Sequence, residues 1–385
     1  MFNSSSNPNQ IPLSHSTRLK ELARLFFKLG AIGFGGPAVH IAMMEEEVVR
    51  KRSWMSHDHF LDLIGATNLI PGPNSTEMTM HIGYERAGWK GLIIAGFCFI
   101  CPAVIITGIF AWAYQRYGAL PQVQSFIYGI KPAIIAVIIS LMVVLGKRAL
   151  KTPTLWVIGL ACLLSVFLGV NEILVLFAAG LIGILIQVLK RPTNLNAILP
   201  FTLLQIHDFT FNPSKWKLFW IFLKIGSILY GSGYVLFAFL NTELVKKGML
   251  TKQQLIDAIA VGQFTPGPVF SSATFIGWQI GGVSGAIAAT VGIFLPSFLF
   301  VSLFNPVIPK LRKSPVMSAF LDTVNVASVA IIVAICVELG KQSITDWRTI
   351  SIAIISLIAS LAIKKLNTAF IVIGGAILGY LLSLI

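Results

Sequence analysis

The chain repeats itself, and an internal repeat of this length constrains the fold more than any single motif does. Phe26-Phe-Lys-Leu-Gly30 returns as Phe222-Leu-Lys-Ile-Gly226, and Phe34-Gly35 as Tyr230-Gly231. Glu47 returns as Glu243, Ser56 and Asp62 as Thr251 and Asp257, and Pro71-Gly72-Pro73 as Pro266-Gly267-Pro268. Ile82-Gly83, Gly91, Pro102 and Gly146-Lys147 return as Ile276-Gly277, Gly285, Pro296 and Gly340-Lys341. Asn171 and Gly183 return as Asn367 and Gly379, and the offset stays between 194 and 196 throughout. The reading is a polar tail at 1–21, a first copy at 22–189, a linker at 190–217 and a second copy at 218–385.

What repeats is a set of apolar segments. Of the 385 residues, 56% are hydrophobic and 11% charged, where a soluble domain carries about 25% charge. Gly91–Ala113, Leu174–Leu189, Ile287–Phe304 and Ala369–Ile385 approach the roughly 20 apolar residues that span a bilayer. The polar stretch Met1–Thr17 has no charged region leading into an apolar run, so the membrane segments themselves are expected to direct insertion. A net charge of +14 would suggest nucleic acid in a soluble chain. Here the basic residues sit in short loops between apolar runs, as the positive-inside rule requires, and no nucleic acid partner is implied. Cys98-Phe-Ile-Cys101 lies inside an apolar run without a redox fold around it, and reads as packing.

Loop charge tests how the copies are oriented. In the first, basic ends fall at Arg86/Lys90, Lys147/Arg148/Lys151 and Lys190/Arg191, while 169–172 carries no basic residue. In the second the basic positions move to the alternate loops: 279–284 is uncharged, and Lys310, Arg312, Lys313, Lys364 and Lys365 carry the charge. The pattern inverts, so the expectation is an all-α polytopic membrane protein. It would have two inverted repeats of five to six membrane segments each, with helices broken at the Pro-Gly-Pro motifs. One conflict stands. Arg50-Lys-Arg52 and its partner Lys246-Lys247 are both basic, so either the front segments are re-entrant or the linker makes an extra crossing.

The breaks carry the chemistry. In Asn68-Leu-Ile-Pro71-Gly72-Pro73-Asn74-Ser75-Thr76-Glu77, two prolines around a glycine stop any helix. Irregular backbone at membrane depth is tolerated where protein or a watery cavity satisfies it. The helix that restarts presents free amides and a positive dipole end, which suits an oxyanion. Asn74, Ser75 and Thr76 add side-chain donors. The second copy offers Gln263, then Pro266-Gly267-Pro268, then Ser271 and Ser272. The plainer alternative is a pair of kinks used only for packing. Gly35-Gly36-Pro37 and its glycine-rich partner make a second break, followed by His40, for which close helix packing is an equal reading. Ionisable residues inside membrane segments mark pathways or coupling sites. These are Lys28 and Lys224, which are matched and which also suit snorkelling to the interface, together with Glu77, His81 one turn on, and Lys131. His57-Asp58-His59 reads as a helix start capped by Ser56, because residues two apart do not share a helix face. Thr251-Lys-Gln-Gln254 reads as a capping box.

At these residues the sequence resembles the chromate ion transporter family in its long, two-domain form. The resemblance rests on Phe34-Gly-Gly-Pro37 with His40, on Trp54, on Asn68 to Glu77, on His81-Ile-Gly-Tyr84, and on Arg86-Ala-Gly-Trp89. A reduced version recurs through Gly231, Pro266-Gly-Pro268, Gly277, Gly285 and Pro296. The resemblance implies a secondary transporter that moves chromate across the cytoplasmic (inner) membrane, commonly outward to give resistance, with sulfate as a close analogue. No nucleotide-binding signature is present, and no cofactor or metal is expected. A membrane-embedded enzyme using Glu77 and His81, and an anion channel, are the alternatives, and a homodimer stays open.

Overall fold

The computed structural model describes residues 14–118, 120–190, 216–231, 233–304, 314–363 and 367–384. The linker segment 191–215 and the basic clusters at Lys310–Lys313 and Lys364–Lys365 lie outside them. Every regular element among the described residues is a helix. The first repeat runs α1 (His15–Ile32), α2 (Pro37–Glu45), α3 (His57–Thr67), α4 (Asn74–Tyr117), α5 (Pro121–Ala149), α6 (Pro153–Phe167) and α7 (Glu172–Lys190). The second runs α8 (Trp216–Ile228), α9 (Val235–Leu240), α10 (Lys252–Phe264), α11 (Ser272–Phe304), α12 (Pro315–Ser343), α13 (Trp347–Ala362) and α14 (Thr368–Ser383). A π-helical turn extends α2 over Glu46–Lys51 and α9 over Asn241–Val245. Both expected caps form. Ser56 Oγ accepts the His59 amide, and Thr251 and Gln254 close a reciprocal capping box.

Helix α4 is a hairpin. Ala87 and Gly88 leave helical geometry, Gly88 at φ +62°, and the chain folds back so that a Cβ at Gly83 would strike the Gly91 carbonyl and Ala95. Gly281 and Gly282, the latter at φ +59°, turn α11 in the same way, with Gly277 against Gly285 and Ala289. Only glycine takes such a φ without strain, and only glycine permits the two arms to approach this closely. We call the short arms α4a (74–86) and α11a (272–280), and the long arms α4b (89–117) and α11b (283–304). α4b is about 43 Å long at 1.5 Å per residue, enough to cross a bilayer.

This places the front of each repeat. α1 starts beside the α4 turn, where Arg18 Nη1 donates to the Arg86 carbonyl at 3.4 Å and Arg86 pairs with Glu21 at 3.1 Å. It runs inward until Gly33–Gly36 breaks it, and α2 returns to the same end. There Arg52 and Arg86 both lie over the Trp54 ring, at 5.8 and 4.7 Å. α3 enters again, Pro71-Gly72-Pro73 breaks it, and α4a returns. Both front pairs are therefore re-entrant, and Arg50–Arg52 share one face with the α4 turn, here end A.

The second repeat is inverted. Trp278 Nε1 donates to Gln115 Oε1 at 2.8 Å and Gln279 Nε2 to the Ala111 carbonyl at 3.2 Å, so the α11 turn sits at the far tip of α4b, end B. Gly96 packs on Phe298, and the α4b–α11b groove proceeds in opposite directions along the two helices. The same antiparallel register joins α5 to α12, with Gly146 on Val329 and Gly340 on Ile135, two pairs related by the repeat.

The repeats are interlocked rather than side by side. α5 packs against α13 and α14 of the other copy, and α12 packs in return against α6 and α7. Small residues make the crossings close: Gly129 meets Gly375 and Gly379, while Gly180 and Gly183 meet Phe320 and Thr323. Among the described residues, five helical stretches are long and apolar enough to cross a membrane: Asn74–Tyr117, Val123–Ala149, Glu172–Lys190, Val269–Phe304 and Pro315–Ser343. Exposed apolar side chains such as Phe97, Leu160, Leu185, Ile287 and Ile358 cover the outer surface, as lipid contact demands.

Candidate functional site

The breaks of the two copies meet each other. The Gly72 amide donates to the Leu229 carbonyl at 2.9 Å, and the Gly267 amide donates to the Gly33 carbonyl at 2.8 Å. Each Pro-Gly-Pro tip is thus tied to the glycine break of the opposite repeat, at matched positions. Sequence reasoning left the tip amides free for a ligand; in the fold these two join the halves. Gly72 (φ +140°) and Gly267 (φ +89°) also occupy tight sockets. A Cβ at Gly72 would strike Glu77 and Ser297, and one at Gly267 would meet Ala103.

Around these ties lies a buried polar cluster. Ser75, Thr76, Glu77, Gln263, Ser271 and Ser272 are all buried. Ser297 Oγ donates to Glu77 Oε1 at 3.3 Å, and Thr107 Oγ1 donates to Ser271 Oγ at 3.2 Å, so each repeat reaches across to the other. Tyr234 donates its phenolic hydrogen to Gln263 Oε1 at 3.2 Å. Asn74 Nδ2 donates to Asn68 Oδ1 at 2.7 Å and staples the two sides of the first break together. Thr76 Oγ1, Glu77 Oε2, Gln263 Nε2 and Ser272 Oγ are buried without a hydrogen-bond partner. Unpaired buried polar atoms cost about 1–3 kcal/mol each, so four around one break pair call for a ligand or water.

The remaining sequence candidates fall in three places. His40 is buried beside the break, with Nε2 2.8 Å from the Gly33 carbonyl and its ring edge-on to Phe99. His81 is buried one turn beyond Glu77 on α4a. Gly35, Gly36 and Pro37 form the turn into α2, with Gly35 near Asn367 and Gly36 near the Tyr234 hydroxyl. Lys28 and Lys224 are not with the breaks. They pair with the matched carboxylates Glu47 (3.5 Å) and Glu243 (2.9 Å) toward the outer ends. Lys131 on α5 interacts electrostatically with Asp257 of α10, whose carboxylate takes hydrogen bonds from Tyr114 (2.5 Å) and Gln253 (3.0 Å). Among the described residues no three His, Cys, Asp or Glu side chains gather as a metal site.

Sequence reasoning missed Ser297, Thr107, Tyr114 and Asp257 as partners. Ser297 had a signal: it follows Pro296, where the first copy has Ala103 after Pro102. The others depend on contacts between distant helices.

The comparisons with known proteins agree with this architecture. The family model described as "Chromate transporter" matches twice, at residues 20–184 and 216–380. A probable chromate transport protein of Synechococcus elongatus is 32% identical over 94% of this chain and 95% of its own. The chromate transport protein of Cupriavidus metallidurans is 31% identical over 94% and 92%, and that of Pseudomonas aeruginosa is 27% identical over the same shares. These relatives are named as transporters and not as enzymes. No solved structure matches the chain. With both repeats matched across most of its length, the chain belongs to the chromate transporter family.

Proposed function

We propose that the protein is a secondary transporter of chromate-class dianions across the cytoplasmic membrane, working outward, with units 22–189 and 218–385 contributing unequally to one site, since the second lacks the Asn-Ser-Thr-Glu run of the first. The observation that carries this is the pair of broken helices tied across the repeat boundary, with Thr76, Gln263 and Ser272 offering unpaired donors beside two helix starts. A tetrahedral dianion accepts several such hydrogen bonds at once, and a helix N-terminus adds partial positive charge. Lys28 and Lys224 supply positive charge farther along the path.

Glu77 gives this site its energetics. An ionised carboxylate beside a dianion repels it, so the two bind together only when Glu77 carries a proton. A dianion that leaves with one proton still moves one net negative charge outward. An inside-negative potential favours that by about 2.3 kcal/mol per 100 mV. Sulfate, with the same shape and charge, competes for the site on this reading. End A, which gathers Arg18, Arg50, Lys51, Arg52, Arg86, Lys147 and Arg148, is the cytoplasmic face by the positive-inside rule.

Radiolabelled chromate uptake into everted vesicles tests this. Thr76→Val and Glu77→Gln are each expected to lower the uptake rate by about tenfold or more, the scale of one lost charge-assisted contact. Glu77→Gln should also remove the pH dependence. Wild-type rates and affinities in both variants would place the anion elsewhere.

A further inference from the structure

The two repeats carry the same front unit in two different settings. In the second repeat, α9 and α10 are sunk into the scaffold of α5, α12 and α14, and Leu236 through Leu240 are all buried. In the first, α2 and α3 form a separate apolar cluster with α1 and α4, and the faces turned from it stay open. Val39 is 40% exposed where its match Val235 is 0%, and Leu61 is 47% exposed where its match Ile256 is 1%. The front unit is therefore docked on the scaffold at end B and undocked at end A, which we call the end-A-open state.

Polar links at end B account for the difference. Glu172, at the start of α7, pairs with Lys246 at 3.1 Å and accepts a hydrogen bond from Thr242, so the first repeat holds the second repeat's front unit. Glu338 of α12 pairs with Lys252 at 2.5 Å and accepts from Asn241 Nδ2 at 3.2 Å. Asp257 takes the Tyr114 hydroxyl. At end A the matched basic residue Arg50 is present, but Glu172 is replaced by Thr368 and Glu338 by Val144. Thr368 Oγ1 is buried with no partner, and Arg50 pairs within its own turn, with Glu45 and Glu46.

We propose that Glu172 and Glu338, with Asp257 behind them, form a lock that holds end B shut and makes the end-A-open state the resting state. Thr368 and Val144 are the positions where the duplicated unit lacks that lock. The cycle then consists of releasing the second front unit from Glu172 and Glu338 while the first front unit swings onto α12 and α7. This deepens the transporter reading, but its test needs no substrate, so a failed chromate assay leaves it standing.

The test uses the full-length chain with its four native cysteines replaced, and one reporter at a time: Val39→Cys at end A or Val235→Cys at end B. Labelling by a hydrophilic maleimide in detergent reads which end is open. With the lock intact, position 39 reacts and position 235 is protected. In Glu172→Gln/Glu338→Gln, labelling at 235 is expected to rise about tenfold while labelling at 39 falls, the reciprocal change that a two-state shift requires. Unchanged protection at 235 overturns the proposal. So does a rise at both positions, which would make the carboxylates mere structural glue. Should the double variant fail to fold, Thr368→Glu decides. It offers Arg50 the missing partner and should slow labelling at 39 about tenfold, since end A gains the same link. An unaltered rate there overturns the proposal equally.

Discussion

The α1–α4a unit and the α8–α11a unit descend from one sequence pattern, yet the first stands half free and the second is buried. Their internal geometry is the same. Both are broken at a glycine-rich turn and again at Pro-Gly-Pro, and both end in a glycine-hinged helical hairpin. Both also pair a lysine with a glutamate at matched positions. The difference lies wholly in how each unit docks. A duplicated chain shows in this way which features belong to the unit and which belong to a conformation of the whole. Substitutions at matched positions separate the two.

The largest expected effect is one that the two repeats share. A side chain at Gly83 or Gly277 would run into the facing backbone carbonyl of the hairpin, and backbone cannot rotate away as a side chain can. Gly83→Val and Gly277→Val should each destabilise by several kcal/mol, above the usual 1–3 kcal/mol of overpacking, and abolish the monodisperse peak in size-exclusion chromatography. A well-behaved variant in only one repeat would show that the hairpins are not equivalent.

The next effect should fall on one repeat alone. Asp257 is buried and held by Tyr114 and Gln253, whereas its match Asp62 is exposed. Asp257→Ala removes the acceptor of the half-buried Tyr114 hydroxyl from a buried position and should cost about 1–3 kcal/mol. Asp62→Ala should change thermal stability by less than about 0.5 kcal/mol. Equal losses would mean that the first unit also docks in solution, and would erase the asymmetry.

A similar but weaker split is expected for the matched lysines. Lys28 is 57% exposed, and its partner Glu47 is also held by Lys51 and Arg52; Lys224 is 28% exposed and shares Glu243 with Lys247 alone. Lys224→Ala should therefore cost about 1 kcal/mol and Lys28→Ala close to nothing, as exposed ion pairs usually do. Thermal shift in detergent would show the order, and a reversed order would break it.

How much of this could be read from the sequence follows from the range of the forces involved. The Pro-Gly-Pro breaks, the Ser56 cap and the Thr251 box are local, and each stood where the residues put it. The inversion was legible because insertion leaves its record in loop charge, at Arg86/Lys90 against 279–284. The re-entrant course of α1–α2 was only one of two readings, because Arg50–Arg52 and Lys246–Lys247 carry basic residues on both units. The structure shows why that was tolerated at end B: Lys246, Lys247 and Lys252 are each neutralised by Glu172, Glu243 or Glu338. The interlocking of α5 with α13 and α14 depends on contacts more than 200 residues apart, for which a period or a motif holds no signal. At the candidate site the residue types were legible and the ties were not. Glu77 announced itself as a lone carboxylate in an apolar run, but its bond to Ser297 exists only once the repeats meet.

One further expected effect isolates conformation from contact. Gly88 and Gly282 turn the two hairpins at φ +62° and +59°, and a Cβ at either position meets no atom within 4 Å. Nothing would clash in Gly88→Ala or Gly282→Ala. What remains is the cost of holding an L-residue at positive φ with ψ near −150°, a region that is essentially glycine's alone, about 1–3 kcal/mol. Two equal, modest losses of thermal stability, set against the collapse expected at Gly83 and Gly277, would show that the hairpin arms are held by packing and the turn only by backbone freedom. If alanine at 282 cost far more than at 88, the strain would be coupled to docking. The turn at end B would then be part of what changes between states, rather than a fixed hinge common to both units.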